Sequence, residues 1–376
     1  MKSTHRGTPD FILLILTFLL TGFGVVMVFS ASSPIGTIDY GDAMFFTKRQ
    51  LVFFVLGTFS MLIVMNIPYT VFRKWFFLAF LGVVFLLIVV LFTAPINGAK
   101  SWIRFGSIGL QPSEFAKLAV ILYLAALVSK KGDKIRNFKK GLLPALVIVG
   151  FMAALVMLQP DFGTAMILII SSLIVIVAGG ASLKQLFAAG TVVTAPASLL
   201  LGLYFLLNST ELGYRFSRIT TYMDPWSDRL GSGMQIINSL FAFGHGGLTG
   251  AGFGQSIQKL HYLPEAHNDF IFAIIGEELG FIGILIFLLL YLGMLWRALI
   301  ISLRCKDTFG SLLGTGIVGL IAVQAFINMG GVTNLIPMTG VTLPFISYGG
   351  SSLLVSMISM GMILSISRHH TAKNEK

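Results

Sequence analysis

From Thr308 to Ser367 the chain runs for 60 residues without an Asp, Glu, Lys or Arg, and from Phe11 to Ser30 it does so for another 20. About 20 apolar residues in helical form match the hydrocarbon thickness of a bilayer, so uncharged runs of this length constrain the chain to fold in lipid. Composition agrees, with 56% hydrophobic and 11% charged residues against roughly 25% charged in globular chains. The net charge of +11 does not point to nucleic acid, because the Lys and Arg residues sit in short groups between apolar segments instead of forming one basic face. The single Cys305 excludes an intramolecular disulfide and a cysteine metal cluster. The run after Pro9-Asp10 is longer than a signal-peptide core and lacks a small-residue cleavage site, so it is expected to be retained as a first span.

Hydropathy predicts an all-α polytopic bundle in one domain, residues 1–376, with about ten transmembrane helices near 11–30, 50–67, 75–95, 113–129, 142–158, 162–180, 185–207, 269–296, 309–329 and 346–367. Nine or eleven spans remain open, because the last two come from dividing one uncharged stretch. With the N-terminus inside, inner segments collect 17 of the 26 basic residues, six of them in SKKGDKIRNFKK, while the outer side holds 11 of the 15 acids. By the positive-inside rule both termini are expected in the cytoplasm. Residues 208–268 then form a long extracytoplasmic loop between spans 7 and 8. Ser232-Gly-Met-Gln235 looks like a capping box for a short helix at the membrane.

Charge within a span is costly, at least roughly 2.5–3.5 kcal/mol on insertion scales, so such groups are functional candidates. Glu114 and Lys117 lie three apart on one helix face. They either pair to satisfy a helix start or line a polar cavity. Asp161, after Gln159-Pro160, suits a helix N-cap, which is compatible with a place at the mouth of the bundle. In LPEAHNDFIFAIIGEELG, Glu265, His267 and Asp269 fall at the membrane surface, with Asp269 a cap, a first-turn acid or a site residue. Glu277 and Glu278 follow two turns deeper, and adjacent acids on a helix must face different surroundings. The segment from Asn328 to Ser352 cannot be continuous helix around Pro337, Gly340, Pro344 and Gly349-Gly350, and irregular backbone at membrane depth belongs in protein or along a wet cavity. No histidine spacing suggests a protein metal site.

These same stretches, QPSEFAKL, QPDFGT, LPEAHNDFIFAIIGEELG and NMGGVTNLIPMTGVTLPFISYGGSS, resemble the signatures of the shape, elongation, division and sporulation (SEDS) family, which includes RodA, FtsW and SpoVE. The resemblance extends across all ten predicted spans and looks most like the FtsW and SpoVE branch. It departs at Asn268, where the family often has Thr.

The resemblance implies a peptidoglycan glycosyltransferase of the bacterial cytoplasmic membrane that polymerises lipid II on the outer face, in cell division or sporulation. It implies Asp269 as the catalytic carboxylate, with Glu114, Lys117, Asp161, His267, Glu277, Ser347 and Tyr348 in the central cavity. Lys117, Arg215 and Arg218, or a divalent cation (Mg or Mn), are the implied partners of the leaving diphosphate. A class B penicillin-binding protein transpeptidase and divisome or sporulation proteins are the implied partners. A lipid II flippase and a non-catalytic scaffold are the competing functions.

Overall fold

The computed structural model describes residues 7–94, 100–105, 108–191, 221–229, 231 and 233–374. The main helices among them are α1 Phe11–Tyr40, α2 Phe45–Asn66, α3 Tyr69–Val90, α4 Pro112–Lys131, α5 Leu143–Met157, α6 Phe162–Ala178, α7 Met234–Gly246, α8 Ile271–Arg304, α9 Thr308–Val332 and α10 Gly350–Asn374. Among the described residues eight helical segments are long and apolar enough to cross a membrane, and α6 is a shorter apolar helix. The protein is therefore a multi-pass membrane protein. Of the predicted span at 185–207, only a helical piece at 183–191 is described, and the remainder lies outside the described residues.

Helix positions follow the apolar runs, while helix ends follow local chemistry. The first helix does not stop at Ser30. It continues through Pro34 to Tyr40, because buried Ser30 and Ser32 find protein instead of lipid around them. The last helix begins at Gly350 and not at residue 346, since the Pro-containing stretch before it is turn. The short helix expected in the long loop is α7, but Gly233 occupies its cap position without a side-chain bond, so it starts one residue later than a cap at Ser232 would require. A small antiparallel hairpin pairs Ile103–Phe105 with Ile108–Leu110, a feature the hydropathy reading misses.

Helices α4, α9 and α10 form the most enclosed part of the bundle, with α2 packed along α10 and α6 against α4 and α9. At one end, Asp10 caps α1 by accepting from the Leu13 N–H at 3.0 Å and binds the Arg297 guanidinium at 2.6 Å, tying α1 to α8. The same end carries the basic turns between α4 and α5, where the Lys131 ammonium donates to the Lys140 carbonyl at 2.6 Å. At the opposite end, the irregular segment between α9 and α10 folds back into the bundle.

That inward path depends on a close approach to α1, where a Cβ at Gly24 would stand 2.3 Å from the Phe345 carbonyl oxygen. Overpacking costs typically about 1–3 kcal/mol. Gly24→Leu is expected to lower the thermal unfolding midpoint in detergent, whereas Gly22→Leu, which has nothing within 4 Å of its Cβ position, leaves it near wild type.

Candidate active site

Asp269 sits in a turn immediately before α8. The helix cap is Phe270 and has no side-chain bond, so Asp269 is not spent on capping. Its main-chain carbonyl accepts from Asn328 Nδ2 at 2.7 Å. The side chain is packed on most sides, and burial, followed by the negative charges of Glu265 and Asp161, pushes its pKa up to about 7. Withdrawal from water and nearby like charge both disfavour the ionised form. A carboxyl that titrates near neutrality is matched to proton transfer at physiological pH.

Asp161 does cap a helix, accepting from the Thr164 N–H at 3.0 Å. It also accepts from Gln111 Nε2 at 3.3 Å, which places its charge at the start of α4. Capping and proximity to Asp269 thus coexist in one residue. Asn268 donates to the Glu265 carboxylate and holds the turn that carries Asp269, a task available to Asn where relatives of the motif have Thr.

His267, Phe46 and Tyr348 form an aromatic cluster beside this turn, with ring centroids 4.3 Å apart for His267 and Phe46 and 5.3 Å for Phe46 and Tyr348. Burial lowers the His267 pKa to about 4, so its imidazole is neutral near pH 7. The Tyr348 N–H donates to the His267 carbonyl at 2.9 Å. Burial pushes the Tyr348 phenol up, and the Arg49 guanidinium beside it partly offsets this. Arg49 also stacks on Phe45 at 4.2 Å. It was not singled out in the sequence, although the adjacent Lys48-Arg49 pair at the edge of a span was a usable signal. Ser347 is buried, and its hydroxyl accepts from the Leu343 N–H at 2.7 Å, so it shapes the turn.

Other predicted cavity residues are sealed. Lys117 is 1% exposed and is held by Glu114 at 2.8 Å and by Gln324 Oε1 at 2.7 Å. The two charges are therefore paired, with both groups inside the bundle. Glu277 is fully buried and accepts from His245 Nδ1 at 2.9 Å, the Ile257 N–H at 2.9 Å and the Ser256 hydroxyl. Glu278 turns the other way, accepting from Ser30 at 2.6 Å and Lys259 at 2.7 Å. Just beyond them α8 breaks at Gly280, whose φ of 66° favours glycine. The two glutamates thus clamp the loop after α7 onto α8. Arg215 and Arg218 lie outside the described residues.

An uncapped, neutral-titrating acid at one end of a helical bundle defines a membrane protein with an enzyme-like site. The chain belongs to the FtsW, RodA and SpoVE family, whose model, described as a cell cycle protein, matches residues 11–372. It is 44% identical over 370 residues to the stage V sporulation protein E of Bacillus subtilis, covering 98% of this chain and 99% of the relative. It is 41% identical over 370 residues to a probable peptidoglycan glycosyltransferase FtsW of Geobacter metallireducens, covering 95% and 94%. Among solved structures it matches a chain from work on polymerization and crosslinking by a peptidoglycan synthase complex, with a TM-score of 0.75, 26% identity and coverage of 96% and 98%. It also matches the rod shape determining protein RodA of Thermus thermophilus, with a TM-score of 0.68, 27% identity and coverage of 96% and 97%.

Breaking a buried ion pair by removing one partner costs about 3–5 kcal/mol, whereas apolar replacement of both is often neutral. Glu278→Leu is expected to destabilise the protein by that order, and adding Lys259→Met to recover most of the loss. Thermal unfolding of the four-member mutant cycle checks this.

Proposed function

We propose that this protein is a peptidoglycan glycosyltransferase that polymerises lipid II at the outer face of the bacterial cytoplasmic membrane, with Asp269 as general base. The uncapped, desolvated state of Asp269 carries this reading, and the names of the FtsW relatives supply the substrate class. In it the site end of the bundle faces outward and both termini lie in the cytoplasm, in accord with the basic turns at the opposite end.

The acceptor's N-acetylglucosamine 4-hydroxyl lies against Asp269, which takes its proton as the oxygen attacks the anomeric carbon of the donor's N-acetylmuramic acid. The new C–O bond forms on the face opposite the departing undecaprenyl diphosphate, so the α-linked donor becomes a β-1,4 link. Electrostatic complementarity to the leaving diphosphate is worth several kcal/mol in such reactions. Arg49, at the aromatic rim, is the described cation placed to supply it, and Arg215 and Arg218 are further candidates. Lys117 is assigned a structural part, because its ammonium is enclosed and already paired. Among the described residues no group of three His, Cys, Asp or Glu side chains could hold a metal ion.

A class B penicillin-binding protein is the proposed partner, in keeping with the synthase complex that contains a similar chain. A role in septum or spore cortex synthesis fits the FtsW and SpoVE relatives.

Purified protein given lipid II is expected to form glycan strands, and Asp269→Asn to form none while remaining folded. Polymerisation by the variant at the wild-type rate would remove Asp269 from the base role. Because the base form is lost as pH falls through about 7, kcat/KM is expected to drop about tenfold per pH unit below that point, a profile measurable with the same assay.

A further inference from the structure

Two uncharged side chains one turn apart on α9, Gln324 and Asn328, hold consecutive carbonyls of the irregular segment. Gln324 Nε2 donates to the Thr342 carbonyl at 3.1 Å, and Asn328 Nδ2 donates to the Val341 carbonyl at 2.7 Å. The i, i+4 spacing stacks them on one helix face. Their other bonds run in opposite directions. Gln324 Oε1 accepts from Lys117, which is paired with Glu114, while Asn328 Nδ2 gives its second proton to the Asp269 carbonyl at 2.7 Å. The orientation of the Asn328 amide is forced, since two carbonyl oxygens require the nitrogen between them.

Asn328 and Asp269 line the same small cavity, together with Thr339, Gly340 and Val341. Gly340 closes it, for a Cβ there would stand 3.4 Å from Asp269 Oδ2. The Oδ1 of Asn328 is buried and, among the described residues, without a hydrogen-bond partner. Leaving a buried acceptor unpaired costs about 1–3 kcal/mol, and such groups in native proteins call for an explanation.

We propose that Asn328 is a positioning residue for the reaction: by bonding the main chains of Asp269 and Val341 at once, it fixes the Asp269 carboxylate against the wall formed by residues 339–341. This deepens the glycosyltransferase reading and rests on it. Gln324 secures the next carbonyl and anchors it to the sealed Glu114–Lys117 pair. Those two charges then serve the site through the segment they brace, without touching substrate.

The test compares Asn328→Asp, which keeps the size but replaces the donor with an acceptor, and Asn328→Ser, which keeps one donor, with wild type and Asp269→Asn. Each is purified in detergent, scored for folded fraction by thermal unfolding, and assayed with lipid II across pH. A displacement of about 1 Å at a reacting group can cost on the order of 100-fold in rate, so kcat per folded molecule should fall by about that factor in Asn328→Asp and by less in Asn328→Ser. KM should stay within about twofold, as expected when ground-state binding is untouched. In Asn328→Ser the acid limb of the rate profile should also move to lower pH as water reaches the freed carboxylate, whereas in Asn328→Asp the added carboxylate beside Asp269 opposes that shift. If kcat per folded molecule and the acid limb match wild type while Asp269→Asn is inactive, the positioning role is overturned and the base role stands. If Asp269→Asn is active, both fall. Should Asn328→Asp not accumulate in folded form, Asn328→Ser decides by the same readouts.

Discussion

The structure depends on satisfying a buried backbone that is not helical. Between α9 and α10 the chain turns through two prolines and several glycines, and its peptide groups cannot bond to one another as helix groups do. Some are met by turns within the segment, as where the Ser347 hydroxyl accepts from the Leu343 N–H, and others from outside it: Asn328 and Gln324 bond the carbonyls of 341 and 342, Gln50 donates to the Ser347 carbonyl at 3.2 Å, and Tyr348 bonds back to His267. The Asn328 bond also holds Val341, which lines the same cavity as Asp269, and the Tyr348 bond holds His267, two residues before it.

The charged residues divide by how they are used. Glu114 with Lys117, and Glu278 with Lys259, are internal pairs that brace the bundle and the loop after α7. Glu277 organises that loop through backbone N–H groups. Asp10 with Arg297 fastens the opposite end. Asp161 splits its time between a cap and the electrostatic environment of Asp269. Asp269 itself is left without a structural task for its carboxylate, and burial beside like charge keeps its proton affinity high.

Much of this was legible in the sequence. Uncharged runs located the helices, because lipid leaves little freedom in where an apolar stretch goes, and the scarcity of acids drew attention to Asp269 and Asp161. Helix ends were less legible: Phe11–Tyr40 overruns its apolar core since Ser30 is stabilised by Glu278, a residue 248 positions away. The break at Gly280 was hidden within one hydrophobic run. Spacing identified Glu114 and Lys117 as neighbours but could not tell a sealed pair from a cavity lining, which depends on Gln324 arriving from another helix. Gln324 and Gln50 carry no charge and lie in none of the quoted signatures, and Asn328 opens one without showing what it bonds, so their work becomes visible only with their distant partners in place.

Asp269 is an acid packed on most sides and not used as a cap, and its ionisation can be observed without reference to catalysis. Carbon-13 NMR of carboxyl-labelled aspartate in the detergent-solubilised protein, with Asp269→Asn to assign the resonance, follows that titration. A midpoint near 7 is the result the structure predicts. A midpoint near the ordinary carboxylate value of 3.8 would show a solvated side chain and contradict the account.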